Sequence, residues 1–272
     1  KCIWRSRTDQ NILLRMSFRM TFEDDTLVSV VVPVYNAERF IGETIGYVQA
    51  QTYENWELIL VDDCSADNGC AVISAAAAND QRIRLLRQET NSGAAACRNK
   101  GVSFARGRYL CFLDADDIWE QEKLSRELAF IGGGKGFVFT GYEFADENGQ
   151  GLGKIVHVPQ EITYRQALKN TTIFTSTVMI DRAVIADTDI RMPQIASEDT
   201  ATWWNILKKY GTGYGLDACL VRYRRSTGTL SANKFTAIRR IWNLYRTHEG
   251  FSAVRSLYYM VFWALRAVLR RV

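Results

Sequence analysis

Residues 109–117 read Tyr109-Leu110-Cys111-Phe112-Leu113-Asp114-Ala115-Asp116-Asp117, an apolar run that ends in three carboxylates. An unbroken apolar run of this length reads as a strand buried on both faces, which places the acids at its C-terminal end. Acids crowded there repel one another and lose hydration unless a cation sits among them. An all-oxygen donor set suits a hard, octahedral ion, Mg²⁺ or Mn²⁺, of the kind that bridges a diphosphate. The competing explanation is a helix N-cap, since Asp117 can cap a following helix. Capping uses one aspartate and leaves the other two without a purpose.

Working outward, the same kind of apolar run occurs at residues 28–34, 56–61 and 83–86. Helical patterns lie between them at 38–51, 71–78 and 94–105, the first with Phe40, Ile41, Ile45 and Val48 on one side. Strand and helix alternate four times in about ninety residues, which predicts βαβ units and an open, mostly parallel α/β sheet. Right-handed crossovers then bring the strand C-termini to one edge, where ligands bind in such folds. After a helix at 120–131 the alternation stops. Strands are predicted at 136–144 and 154–158 around the turn Asp146-Glu147-Asn148-Gly149, then at 177–180 and 218–223, with a helix at 200–209. Two helices, 236–248 and 252–270, close the chain.

The composition is that of a globular protein, 47% hydrophobic and 24% charged in 272 residues. The six cysteines form no CxxC pair and only two histidines occur, so a structural zinc site is not expected. Scattered cysteines with apolar neighbours fit reduced thiols of a cytosolic protein. From residue 222 to the end there are eleven Lys/Arg against Glu249 alone, a surplus of ten, so the rest of this +4 chain carries minus six. An acidic body with a basic tail suggests that the tail meets phosphate or membrane. Residues 1–26 mix both charges without a long apolar core and do not read as a secretory signal; they are an extension of unassigned role, or the native start is Met16 or Met20.

Four further motifs carry candidate chemistry, the first of them at the same predicted edge. Asp62-Asp63 ends the second strand, where a carboxylate can accept from a base or ribose; an Asx turn explains it equally well. Asn91-Ser92-Gly93 opens a helix carrying Arg98 and Asn99, and Arg98 is placed to reach a phosphate or a sugar hydroxyl, or simply starts a helix. Ser197-Glu198-Asp199 opens another, where Ser197 is a good N-cap and Trp203 and Trp204 are either a sugar-stacking wall or core. Arg222-Tyr223-Arg224-Arg225 and residues 226–234 form a basic stretch that either closes over a diphosphate or is a solvated face.

Read together, Val32-Pro33-Val34-Tyr35-Asn36, Val61-Asp62-Asp63, Asn91 and Gly93 with Arg98-Asn99, Asp114-Ala115-Asp116-Asp117, Glu198-Asp199 and Tyr223-Arg224 with Leu230-Ser231 resemble a family 2 glycosyltransferase of the GT-A type. The nearest members in pattern are bacterial teichuronic-acid and capsule enzymes. The resemblance covers about residues 27–235 and implies a Rossmann-like GT-A domain, followed at 236–272 by a basic amphipathic tail. It implies that Pro33, Tyr35 and Asp63 hold the nucleobase and ribose, that Asp114 lies near the sugar or ribose, and that Asp116 binds Mn²⁺ or Mg²⁺. Val34, Asn36, Asp62, Asn91, Gly93, Arg98, Ala115, Arg224 and Ser231 complete the donor-binding set. Asp199 would be the general base, with Glu198 orienting the acceptor. Some relatives carry a histidine after Tyr223-Arg224; here residues 226–229 contain none, which puts a loop contact to the metal in doubt.

The expected activity is inverting transfer of a sugar from a nucleotide-sugar, a UDP-sugar by preference, to a hydroxyl of a growing, lipid-linked surface glycan. Two alternatives share parts of the pattern. A nucleotidyltransferase would need a Gly-rich basic loop after the first strand, where Asn36-Ala37-Glu38-Arg39 stands. A non-catalytic glycan-binding protein would not need Asp116 and Asp199. No nucleic-acid partner is expected. The tail helix has Val254, Leu257, Tyr258, Val261, Leu265, Val268 and Leu269 on one face, with Tyr258, Tyr259 and Trp263 suited to a headgroup boundary. It is shorter in apolar run than the roughly 20 residues a spanning helix needs. A peripheral site on the inner face of the bacterial cytoplasmic membrane, held by anionic lipid, is therefore expected; the alternative is packing on the catalytic domain or on a second subunit of a homo-oligomer.

Overall fold

The computed structural model describes residues 26–170, 172–225 and 234–269. The first half alternates β1 (Val28–Val34), α1 (Glu38–Gln49), β2 (Trp56–Asp62), α2 (Gly69–Asn79), β3 (Ile83–Arg87), α3 (Ala94–Phe104) and β4 (Tyr109–Phe112). β1 and β2 are buried along almost their whole length, the environment that their continuous apolar runs require. Both β2 and β4 pair with β1 in parallel, and β3 adds to β2. Pro33 lies past the Val28–Val31 stretch that pairs with β4, so its missing N–H breaks no rung on that side. α1 covers one face with Ile41, Ile45 and Val48. α3 covers the other, at a close approach set by Gly101: a Cβ there would stand 2.3 Å from Val31 Cγ1.

The second half is β5 (Ile118–Trp119), α4 (Lys123–Ile131), β6 (Phe137–Ala145), β7 (Gly151–Val156), β8 (Glu161–Thr163), α5 (Tyr164–Ala167), a 3₁₀ turn (Thr175–Thr177), β9 (Val178–Asp181), α6 (Asp187–Ile190), α7 (Glu198–Tyr210) and β10 (Thr212–Arg224). Among the described residues these form one ten-stranded sheet, ordered β3-β2-β1-β4-β9-β6-β10-β5, with β7 on β6 and β8 on β10. β9 runs antiparallel to both β4 and β6 and so inserts the antiparallel part beside the parallel one. β10 starts six residues before the predicted 218, in a Gly-rich stretch without strand character. Its glycines are needed for contact, since a Cβ on Gly215 would meet the Pro159 carbonyl oxygen at 2.0 Å. The Glu120 start predicted for the next helix falls beyond the short strand β5, and α4 begins at Lys123.

The tail contains α8 (Lys234–Asn243), a π-helical turn (Leu244–His248) and α9 (Ala253–Leu269). Ile241, Leu244, Tyr245, Phe251 and Tyr259 are buried in the core that also holds Trp203 and Trp204. The Tyr245 ring stacks on Trp204, centroids 5.4 Å apart and planes 10° from parallel. The buried Glu249 carboxylate accepts from Lys208 of α7 at 2.7 Å and from the Tyr164 hydroxyl. The opposite side of α9 leaves Val254, Leu257, Tyr258, Val261, Phe262 and Leu265 exposed, one stripe at helical spacing. Tyr259 and Trp263, predicted for a headgroup boundary, instead face the core. Among the described residues no helix is long and apolar enough to cross a membrane. The five described cysteines are free.

Candidate active site

Because β2, β1 and β4 are adjacent and parallel, their C-terminal loops share one edge. At the ends of β1 and β2 the loops lock each other. Asn36 N–H donates to Ser65 Oγ at 3.0 Å and its Oδ1 accepts Ala66 N–H at 2.9 Å; Glu38 N–H donates to Asp67 at 2.7 Å. Asp63 is buried, and its carboxylate accepts Ser92 N–H at 2.8 Å and Gly93 N–H at 2.7 Å, while Asn91 donates to its carbonyl. Gly93 takes φ +84, which glycine alone adopts without cost. Asp62 accepts from Ser65 N–H at 3.3 Å, three residues on, one residue longer than the Asx turn that the sequence allowed. Val34 is core, its carbonyl accepting Asp63 N–H, whereas the ring of Tyr35 beside it is 55% exposed at the edge.

The end of β4 forms the second half. Asp114 Oδ1 accepts from Arg98 Nη2 at 2.6 Å, and Arg98 Nη1 donates to Glu198 Oε1 at 2.8 Å. Asn99 exchanges two 2.8 Å bonds with the backbone of Met192, fixing the approach to α7. α3 therefore runs from the Asp63 loop to the acidic pair, joining the two halves. Burial alone would favour neutral Arg98, but the charges of Asp114 and Glu198 outweigh it and hold the guanidinium charged. Burial, then the Asp114 charge, push the Asp116 carboxyl up to about 6. Burial, then Asp114 and Asp116, raise Asp117 well above the ordinary carboxylate range. Glu198 is raised by burial and by Asp199, against the pull of Arg98. Thr44 Oγ1 holds the Ala115 carbonyl at 2.8 Å.

Asp117 does not cap a helix. It is fully buried, accepts from Ser176 Oγ at 2.5 Å and from Arg224 N–H at 3.3 Å. Ser197 does not cap either: it sits in the left-handed region at φ 62 and makes no side-chain bond to α7. Among the described residues the positive-φ non-glycines are Asn36, Cys64 and Ser197, and all three stand in loops bordering this site. Trp203 and Trp204 are core, not a sugar-facing wall. Arg224 is buried in β10, donating to the Asp116 carbonyl at 2.9 Å, to the Glu147 carbonyl at 3.0 Å and to Glu43 at 2.9 Å. Its guanidinium thus ties the acid loop to α1 and to the turn between β6 and β7. Ser231 and residues 226–233 lie outside the described residues.

Sequence reading missed the 3₁₀ turn. Thr175 Oγ1 donates to Asp199 Oδ2 at 3.0 Å, and Ser176 Oγ accepts Asp114 N–H at 3.1 Å. The only signal was a run of three hydroxyls before an apolar strand. Asp199 Oδ1 also accepts Thr200 N–H at 2.7 Å.

Among the described residues no three His, Cys, Asp or Glu side chains converge on one point. The crowded, partly uncompensated carboxyls of Asp114 and Asp116 nevertheless fit a hard cation of the Mg²⁺ type, which keeps waters and takes one or two carboxylates together with substrate phosphates.

The model described as glycosyl transferase family 2 matches residues 29–187. TuaG of Bacillus subtilis, described as a teichuronic acid biosynthesis glycosyltransferase, is 41% identical over 248 residues, 90% of this chain and 98% of the relative. WfgD of Escherichia coli, a UDP-Glc:α-D-GlcNAc-diphosphoundecaprenol β-1,3-glucosyltransferase, is 38% identical across 81% of this chain and 86% of its own. Among solved structures, Staphylococcus aureus TarS 1–349 with UDP-GlcNAc superposes at TM-score 0.63 with 22% identity, covering 88% of this chain and 72% of that one. The Pyrobaculum calidifontis mannosyltransferase PcManGT with GDP-Man and Mn²⁺ gives 0.66 at 16% identity, covering 83% and 64%. At these identities the likeness is one of fold, a GT-A-like α/β architecture with C-terminal helices.

Proposed function

Because the chain belongs to glycosyl transferase family 2, we propose that it moves a sugar from a UDP-sugar to a hydroxyl of a lipid-linked bacterial surface glycan, inverting the anomeric carbon. The observation that carries this reading is the Asp114–Arg98–Glu198 bridge. It joins a donor half, built on Asp63 and the acids, to an acceptor half, built on α7. Tyr35, Pro33 and Asp63 border the space for a nucleoside. The two bonds from Ser92 and Gly93 shape that loop and leave carboxylate lone pairs for a ribose.

Asp116, with Asp114 beside it, would hold Mn²⁺ or Mg²⁺, and a divalent ion supplies neutralisation of the charge that develops on the departing diphosphate. Arg224 keeps the backbone of Asp116 in place. Asp199 takes the proton of the acceptor hydroxyl as that oxygen attacks from the side opposite the leaving group. Glu198, anchored to Arg98, orients the acceptor. A single displacement of this geometry inverts the configuration.

A lipid-linked acceptor is supported by the diphosphoundecaprenol acceptor in the name of the glucosyltransferase relative and by α9. Its exposed stripe, in a C-terminal stretch (residues 222–272) with a surplus of ten positive charges, suits the inner face of an anionic membrane, where it would lie without spanning. The test is release of UDP from a panel of UDP-sugars with Mn²⁺. Release with one donor supports transfer; none with any donor supports a non-catalytic glycan-binding protein instead.

A further inference from the structure

Two hydroxyls on consecutive residues reach opposite halves of the site. Thr175 and Ser176 are 2% and 0% exposed, in the 3₁₀ turn that leads into β9. The turn is fixed from behind: Thr177 Oγ1 donates to the Phe174 carbonyl at 2.6 Å, and Trp119 Nε1 donates to the Ser176 carbonyl at 2.9 Å. From this support Ser176 Oγ accepts Asp114 N–H at 3.1 Å and donates to Asp117 Oδ2 at 2.5 Å, spanning the acidic loop. Thr175 Oγ1 points to the other side and donates to Asp199 Oδ2 at 3.0 Å. With Thr200 N–H on Oδ1 at 2.7 Å, the Asp199 carboxylate is gripped on both oxygens. A carboxylate so held cannot rotate freely.

We infer that Thr175 and Ser176 are the positioning residues of the transfer reaction, Thr175 orienting the base Asp199 and Ser176 orienting the acid loop 114–117. The inference rests on the reading of Asp199 as base and Asp116 as metal ligand. A single rigid turn then sets the spacing between the group that takes the acceptor proton and the loop that receives the diphosphate. Such spacing is what a displacement requires, because small errors of position in the reacting groups are costly. The two hydroxyls act on different steps, so their loss has different kinetic signatures.

Four variants test this by steady-state kinetics with UDP-sugar, acceptor and Mn²⁺. Thr175→Val keeps the shape and removes the donor; it should lower kcat about tenfold or more, the cost of one hydrogen bond to a charged group, with the donor KM unchanged. Thr175→Ser restores the hydroxyl and should return kcat to within about threefold of wild type. Ser176→Ala should instead raise the donor KM and the Mn²⁺ concentration for half-activity, with a smaller loss of kcat. Asp199→Asn is run alongside. Wild-type kcat in Thr175→Val while Asp199→Asn is inactive would overturn the role of Thr175 alone. Equal losses in Thr175→Val and Thr175→Ser would overturn it too, since shape and not the hydroxyl would then matter. Full turnover in Asp199→Asn would remove the base reading itself, a result distinguishable from the other two.

Discussion

Arg98 and Glu198, a hundred residues apart in the chain, meet in a 2.8 Å ion pair, and the same guanidinium holds Asp114 at 2.6 Å. Arg98 is 5% exposed, so its removal leaves two carboxylates unpaired in a largely desolvated place. Breaking such a pair from one side typically costs about 3–5 kcal/mol. Arg98→Met should therefore lower the unfolding free energy read from urea titration by an amount in that range, with a lower midpoint at unchanged slope. Arg98→Lys, which keeps the charge but loses the two-pronged geometry, should fall in between. A midpoint unchanged in Arg98→Met would mean the bridge is not formed in solution.

Asp116 gives a pH signature. Its carboxyl is displaced from an ordinary 3.8 to about 6. Between those values the folded chain keeps a proton that the unfolded chain has released, so stability falls as pH rises through this window. Asp116→Asn cannot ionise and should lack its share of that fall. Thermal melts of metal-free protein at about pH 4 and about pH 7 should show the variant gaining on wild type at the higher pH. Added Mn²⁺ should raise the wild-type melting temperature near neutral pH and leave the variant where it is. Equal stabilisation of both by Mn²⁺ would place the ion elsewhere.

The exposed stripe of α9 can be separated from the packing of the tail. Removing residues 236–272 would uncover Trp204, whose burial is worth roughly 2–3 kcal/mol, so truncation confuses membrane binding with stability. Leu257→Ser, Val261→Ser and Leu265→Ser together leave the buried Tyr245 and Tyr259 untouched. The triple variant should keep its melting temperature and lose co-sedimentation with vesicles containing anionic lipid, while wild-type binding should weaken with salt. Undiminished vesicle binding would exclude the stripe as the anchor. A wild-type dimer that the triple variant converts to monomer would make the stripe a subunit interface.

The parallel half of the sheet was legible because β1, β2 and β4 are interior strands, whose continuous apolar runs have no other explanation. Their acidic ends were legible for the same reason: Asp63, Asp114 and Asp116 interrupt the runs at one edge. The rest depended on contacts between residues distant in the chain. Short β5 and β8 carry too few residues for a periodic pattern, and the Gly-rich start of β10 looked like a turn because the close backbone contact at Gly215 is not a local property. Asp117 and Ser197 look like helix caps from their neighbours, yet Ser176 and a left-handed backbone give them other work. Thr175 carries no local mark of its role. Its partner Asp199 lies 24 positions away.

Release of UDP by wild type, Asp116→Asn and Asp199→Asn, followed side by side with Mn²⁺ and an acceptor, bears on all of this at once. Wild type should turn over and stop in EDTA. Asp116→Asn should be inactive with its fold intact. Asp199→Asn should bind UDP about as tightly as wild type while its turnover falls roughly 10²–10⁴-fold, the usual loss when a general base is removed. Turnover that persists in EDTA, or in either variant at the wild-type rate, would show that sugar transfer does not run through these two carboxylates.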